Sequence, residues 1–402
     1  SFNPMLNISP SSKLNNVRYE IRGDLAKRAY ELEKSGKQIT HLNIGNPASY
    51  GLIAPDRLRM AMIENISHCD AYTHQKGIFP AREAIIMQQQ SRGIKNGSID
   101  QVIIGNGVSE LIDITLRALL ENNDEVLIPS PDYPLWTAST ILNGGKAIHY
   151  PCKKENSYIP DPADIKKLIT NKTRALVLIN PNNPTGAVYP KSTLEAICNL
   201  CKEFNLLLLS DEIYDRMTYD NAEFIPVASI DHDLPIATFS GLSKVYRACG
   251  YRVGWVSFTG SVENTSDLLN SMELLAALRL CSNVPGQWAV QTALGGTQSI
   301  DQLTAKDGRL YKSRRAVIDA VDKSLNMQMI TPQGAMYAFI DVNKPGFDDK
   351  EFALKLLEDE HILIAPGTSF NYPNNNSFRI TLLPEANILQ DCIMRKIGRA
   401  HV

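Results

Sequence analysis

Little in this sequence points to a staple, a metal or a macromolecular partner. Seven cysteines in 402 residues are few, scattered and odd in number, so no disulfide framework is expected and a reducing compartment suits them. Cys198-Asn-Leu-Cys201 is formally a Cys-x-x-Cys pair. It lies in Leu194–Phe204, whose apolar spacing is helical, and no second pair completes a zinc site. The seven histidines form no ligand-spaced cluster; His41, His68, His74 and His149 read as core or surface residues, and no metal is expected. Neither sign of charge dominates: 41 Lys and Arg against 43 Asp and Glu leave a formal net charge of −2. No long basic run appears, so there is no electrostatic reason to expect nucleic acid or a membrane surface as partner. No stretch approaches the roughly 20 apolar residues of a membrane span. The opening Ser-Phe-Asn-Pro lacks a charged region followed by an apolar core. Small-molecule partners and a cytoplasmic location are the expectation.

What is present is an ordinary globular composition, 44% hydrophobic and 21% charged, long enough to bury a large core in two lobes. From about residue 45 to 300, apolar strand-like runs alternate with helix-like stretches. The runs are Gln101–Ile104, Asp124–Ile128, Ala147–Tyr150, Ala175–Ile179, Leu206–Leu209, Pro235–Phe239 and Trp255–Phe258. Such alternation predicts an α/β fold with a mainly parallel sheet covered by helices on both faces. From about residue 301 the texture changes to the charged helical stretch Gly308–Val321 and short strands around Ala335–Ile340 and Phe378–Leu382, which reads as a smaller α+β lobe. The polar Tyr372–Ser377 reads as a loop.

Lys244 stands behind the run Pro235–Phe239, in Ser240-Gly-Leu-Ser-Lys-Val-Tyr-Arg-Ala-Cys-Gly-Tyr-Arg-Val-Gly-Trp255. A strand end partly desolvates the amine and favours the free base that attacks an aldehyde. Ser243 offers a hydroxyl and Arg252 a planar fork of donors, both suited to a dianionic phosphate. An imine-forming lysine beside a phosphate points to pyridoxal phosphate; a surface loop with two solvated cations is the alternative. Two further runs end abruptly in polar residues, presenting Asp211 and Asn183 where open parallel sheets bind ligands. An aspartate facing a pyridine nitrogen keeps it protonated, and Asn183 and Tyr214 suit hydrogen bonds to the ring's phenolic oxygen. Taken singly, Asp211 could cap the next helix, Asn183 could shape a turn, and Tyr214 could be a packing residue.

The order Asn183, Asp211, Tyr214, Lys244, Arg252 resembles the fold-type I pyridoxal-phosphate-dependent aminotransferases of the aspartate/tyrosine/alanine group. The matching segments span nearly the whole chain: Asn43-Ile-Gly-Asn-Pro47, Tyr72 with Gly77 and Arg82, Gly105-Asn-Gly-Val-Ser-Glu110, Pro131-Asp-Tyr-Pro-Leu-Trp136, Asn180–Gly186, Ser210–Tyr214, the lysine segment and Ser377-Phe-Arg379. Ser11–Leu14, Tyr19-Glu-Ile-Arg-Gly23, Pro131–Thr137 and Arg279–Pro285 look most like the bacterial glutamate–pyruvate (alanine) aminotransferases.

The resemblance implies a three-layer large domain over residues 44–300, and a small domain from residues 1–43 and 301–402 that includes an N-terminal arm. Gly105–Glu110 follows a strand and opens the helix Leu111–Leu119; Glu110 at the third glycine position fails the dinucleotide fingerprint, while glycines and a helix start still favour an anion. A plain strand-to-helix turn is the alternative there. By resemblance, the Val108 and Ser109 amides and the Ser109 hydroxyl hold the cofactor phosphate, and Tyr133 stacks on the ring. Lys244, Asp211 and Tyr214 are the expected catalytic residues. Gly45, Asn183 and Arg379 are expected at the substrate, with Arg379 gripping the α-carboxylate. Tyr72 is expected to cross to the phosphate of a partner subunit, which makes the protein a homodimer. Tyr19 and Arg22, three apart, share a face if their segment is helical, so Arg22 could swing toward the distal carboxylate of glutamate. Many relatives carry a serine three residues before the lysine, where Gly241 stands.

The activity implied is a ping-pong exchange of an amino group between alanine or glutamate and pyruvate or 2-oxoglutarate, through a Schiff base on Lys244. Aromatic (tyrosine-type) or valine–pyruvate transfer on the same fold is the nearest alternative. From other classes, a ligand-sensing domain of a transcriptional regulator needs a helix-turn-helix module, and only about 40 residues precede Asn43. A nicotinamide oxidoreductase needs the glycine fingerprint that fails here.

Overall fold

The computed structural model describes residues 5–19 and 23–398. A two-residue strand β1 (Thr40–His41) precedes seven strands: β2 (Val102–Gly105), β3 (Glu125–Ser130), β4 (Lys146–Pro151), β5 (Thr173–Ile179), β6 (Leu207–Asp211), β7 (Ile236–Gly241) and β8 (Gly254–Thr259). These seven form one sheet in the order β2-β8-β7-β6-β5-β3-β4. The pairs from β7 through β6, β5 and β3 to β4 are parallel, and β8 runs antiparallel to both β7 and β2. The mainly parallel sheet read from the apolar runs is therefore present. Its antiparallel pair of ladders follows from the β7–β8 connection, residues 242–253, which holds one short 3-10 turn at Cys249–Tyr251 and no crossover helix. Without a crossover a strand must return antiparallel.

Central strands of a two-sided sheet are apolar throughout because both faces are covered. Strands β2, β6, β7 and β8 are buried along their whole length. One face packs against helices Val108–Leu119 and Val262–Leu278 through Leu111, Ile112, Leu116, Leu269 and Met272. The other packs against the helix Lys191–Glu203 through Leu194, Ile197, Cys198 and Cys201. These two cysteines are buried core thiols, and burial pushes both pKa values up.

The later strands are β9 (Met327–Met329), β10 (Tyr337–Val342), β11 (Ile362–Leu363), β12 (Ala365–Pro366) and β13 (Ser377–Thr381). Four of them form an antiparallel sheet, β12-β13-β10-β9, and β1 pairs in parallel with β11. The helices Arg309–Asp322 and Asp349–Glu360 cover this sheet with Val317, Val321, Phe352 and Leu356. The strand expected at 335–340 begins two residues later, because Ala335 sits at φ 60, outside the extended region. Ser377, expected in a loop, opens β13. Among the described residues no helix is long and apolar enough to cross a membrane.

Candidate active site

Parallel strands deliver their carboxyl ends to one edge, and the polar residues that interrupt the apolar runs gather there. A cavity of about 240 Å³ is lined by Tyr19, Gly45, Val108, Ser109, Tyr133, Asn183, Asp211, Tyr214, Ser243, Lys244, Arg252 and Arg379. Segments far apart in sequence thus meet in one place. Tyr72 does not join them; it is 74% exposed on the surface of its own chain. Arg22 lies outside the described residues. Tyr19 lies ahead of the helix Asp24–Lys34 and in no helix itself.

At one end of the cavity the geometry suits a dianion. Gly107 at φ 81 caps the helix Val108–Leu119, a conformation that favours glycine, and a Cβ there would overlap the Arg252 guanidinium. The first N–H groups of a helix have no intrahelical acceptor, and the helix dipole adds positive potential at the same place. Arg252, itself at φ 53, donates from Nη2 to the Ser109 hydroxyl at 3.2 Å, and Ser243 lines the same pocket. At Gly241 a Cβ would meet the Val253 carbonyl oxygen at 2.7 Å and Gly254 Cα at 3.0 Å. Close pairing of Gly241 with Gly254 across β7 and β8 leaves no room for a serine side chain at this position.

Asp211 ends β6 and is buried. Trp136 Nε1 donates to it at 3.1 Å and the Ile213 amide at 3.4 Å, and no ion pair to it occurs among the described residues. Burial raises its pKa from 3.8 to about 6, which the two donors only partly oppose. No helix follows Asp211, only turns, so the capping alternative does not hold.

Arg379, on β13, presents the opposite charge. Its guanidinium is buried, which lowers its pKa, and it lies between the rings of Tyr337 and Phe370, with centroids 4.2 Å and 4.7 Å from Cζ. Nη1 donates to Asn183 Oδ1 at 2.8 Å, Nη2 donates to the Asn43 carbonyl, and Nε has no partner. A buried guanidinium with a free N–H and no carboxylate partner among the described residues is suited to a ligand carboxylate. Lys244 Nζ donates to the Gly45 carbonyl. A Cβ at Gly45 would overlap the Tyr337 hydroxyl, so only glycine lets this backbone come so close.

Tyr337 is a lining residue that sequence reasoning missed. Its hydroxyl shares a 2.7 Å hydrogen bond with that of Tyr214, and its ring supports Arg379. Burial raises the Tyr214 and Tyr133 pKa values well above the usual phenol value. Tyr133 meets Tyr19 hydroxyl to hydroxyl at 3.0 Å, so Tyr19 joins the cavity wall beside Tyr133. Phe370 is held by the Tyr133 loop: the Asp132 N–H donates to the Phe370 carbonyl at 2.8 Å, and Asn371 Nδ2 donates to the Asp132 carboxylate at 3.0 Å.

The family model for aminotransferase class I and II matches residues 37–392. The glutamate-pyruvate aminotransferase of Escherichia coli K12 is 43% identical over 386 residues, 95% of either chain. The alanine aminotransferase of Mycobacterium tuberculosis H37Rv is 46% identical over 389 residues, 96% of this chain and 91% of that one. Among solved structures, an aminotransferase from Escherichia coli superposes with a TM-score of 0.96 at 42% identity, covering 98% of this chain and 99% of the other. The alanine aminotransferase from Pyrococcus furiosus gives 0.93 at 34% identity, covering 98% and 100%.

Proposed function

Because the chain belongs to the class I and II aminotransferases, we propose that it binds pyridoxal 5'-phosphate in this cavity and exchanges an amino group between alanine or glutamate and pyruvate or 2-oxoglutarate. The observation that carries the reading is the gathering, in one cavity with a lysine amine, of a buried carboxylate without a cation and a buried guanidinium without an anion among the described residues. The similarity to the glutamate-pyruvate aminotransferase of Escherichia coli and the alanine aminotransferase of Mycobacterium tuberculosis supports the substrate pair.

The residues fit the cofactor. The Gly107 turn, the helix start at Val108 and Ser109, Ser243 and Arg252 suit its phosphate. Asp211 suits a protonated ring nitrogen, whose charge would bring the carboxylate back toward its ordinary pKa. Tyr133 suits a ring face, and Asn183 and Tyr214 the phenolic oxygen. When bound, the cofactor supplies an aldehyde for amines and a ring that draws electrons from a breaking Cα–H bond.

The chain's own residues do the rest. Arg379 holds the substrate α-carboxylate with its planar fork, and Tyr337 and Phe370 fix the plane of that fork. Asn183 accepts one of its N–H groups and so sets its rotation. Lys244 Nζ, kept near Gly45, would move a proton off the substrate Cα in one half-reaction and onto Cα in the reverse one. Tyr19 and Tyr133 close the mouth against water, which strengthens each charge interaction inside. Tyr72, exposed here, completes the phosphate site of a partner subunit, so the working unit is a homodimer. Residues 44–300 form the cofactor domain, and the terminal segments carry Arg379 and the arm.

The test is a coupled assay of alanine, glutamate, valine, tyrosine and aspartate against pyruvate and 2-oxoglutarate. Alanine with 2-oxoglutarate, and glutamate with pyruvate, are expected to turn over fastest, and Lys244→Ala is expected to abolish turnover. Faster turnover of tyrosine or valine would overturn the substrate assignment. Transamination by the Lys244→Ala variant would overturn the mechanism.

A further inference from the structure

Glu110 breaks the dinucleotide fingerprint, and its contacts show another use for a carboxylate at that position. It is the third residue of the helix Val108–Leu119. Oε1 accepts from the Asn106 amide N–H and Oε2 from Asn106 Nδ2, each at 3.2 Å. This is the reach-back by which a third-position Glu satisfies donors ahead of a helix. It shapes the turn Gly105–Gly107 and leaves the first-turn N–H groups of Val108 and Ser109 free for an anion. It also places a negative charge in the turn where a phosphate should bind, and like charges that close disfavour the ligand.

Arg279 answers that charge. It caps the helix Val262–Leu278, and its Nε and Nη2 donate to Glu110 Oε1 at 3.2 Å and 3.0 Å. The guanidinium is anchored by three carbonyls: Ile104 at 2.9 Å, Gln75 at 3.0 Å and Ala276 at 3.2 Å. From Asn106 the network runs on to the other wall of the cradle. Asn106 Oδ1 accepts from the Asn283 amide at 2.8 Å and from Asn283 Nδ2 at 3.1 Å. Asn283 Nδ2 also donates to the carbonyl of Arg252 at 2.9 Å, the residue held at φ 53 whose Nη2 reaches Ser109. An unbroken chain of polar contacts therefore ties Arg279 to Arg252 through Glu110, Asn106 and Asn283.

We infer that Glu110 and Arg279 are a positioning pair for the phosphate cradle: Glu110 shapes the turn, and Arg279 cancels its charge so that the cradle still favours a dianion. The inference rests on the cofactor reading above. Neither side chain lines the cavity, so neither touches the cofactor.

The experiment measures the dissociation constants of pyridoxal phosphate, of pyridoxal lacking the phosphate, and of inorganic phosphate on the apoenzyme, by fluorescence titration and thermal shift. Arg279→Met leaves Glu110 uncompensated. It is expected to weaken pyridoxal phosphate and inorganic phosphate about tenfold, the scale of one lost charge-assisted contact, and to leave pyridoxal unchanged. Adding Glu110→Gln to Arg279→Met removes the stray charge while keeping an acceptor for Asn106, and should recover most of that loss. Arg279→Lys keeps the charge and should keep the preference for the phosphorylated ligand. If Arg279→Met does not fold, Glu110→Gln alone decides: it should bind inorganic phosphate at least as tightly as wild type. An equal loss for pyridoxal, or no recovery in the double variant, would overturn the inference and leave Arg279 a fold anchor. A wild-type apoenzyme that bound none of the three ligands would overturn the cofactor reading itself.

Discussion

Replacing Asp211 by Asn should move the stability of the apoenzyme and the rate of the loaded enzyme in opposite directions. The carboxylate is buried, receives the Trp136 and Ile213 donors alone among the described residues, and has its pKa raised from 3.8 to about 6 by that burial. Between those two values the folded state holds the proton that the unfolded state has released, so stability falls as pH rises through that window and stays low above it. A shift of this size corresponds to about 3 kcal/mol at pH 8, an order-of-magnitude figure. Asn keeps an acceptor for Trp136 without the charge. The Asp211→Asn apoenzyme should therefore unfold at higher temperature or denaturant than wild type at pH 8, with the difference gone near pH 4. Once loaded, the variant cannot hold the ring proton, and transamination should slow by roughly a thousandfold or more. Paired melting curves of apoenzyme at the two pH values, with single-turnover rates of the loaded forms, make the comparison. An apoenzyme destabilised at pH 8 by the substitution would refute the reasoning and make Asp211 a structural anchor.

Glu212, beside it, is buried with the Ser210 hydroxyl and the Val227 amide as its donors among the described residues, and burial raises its pKa from 4.5 to about 8. Stability should fall as pH rises through that window, and Glu212→Gln should flatten the fall by a few kcal/mol at most, read from melting temperatures between pH 5 and 9. Arg379→Lys keeps the charge and loses the fork, so KM for both amino and oxo acids should rise roughly tenfold to a hundredfold, while cofactor affinity holds. Tyr337→Phe keeps the ring under Arg379 and removes the hydrogen bond to Tyr214. It should shift the pH titration of the cofactor's visible band with little change in KM; a KM effect alone would assign Tyr337 to the carboxylate and not to Tyr214.

Much of the sheet was legible because buried parallel strands are apolar on both faces, and β5, β6 and β7 fall on the runs ahead of Asn183, Asp211 and Lys244. The antiparallel β8 was not, since its run Trp255–Phe258 has the same texture and only the missing crossover reverses it. Residues with distinctive chemistry at strand ends, Lys244 and Asp211, could be read one at a time. Tyr337 could not, because a tyrosine in a short apolar strand has the pattern of a core residue, and its use appears only when β10 and β13 bring it under Arg379. Glu110 was read as a failed glycine, and its partner Arg279, 169 positions away in sequence, carries no local signal.

The central claim is that this cavity holds pyridoxal phosphate on Lys244, and peptide mapping after borohydride reduction of the loaded enzyme tests it most directly. A single phosphopyridoxyl group is expected, on the peptide containing Lys244, and it should be lost when excess alanine is added before reduction. A label on another lysine, or one indifferent to alanine, would contradict it.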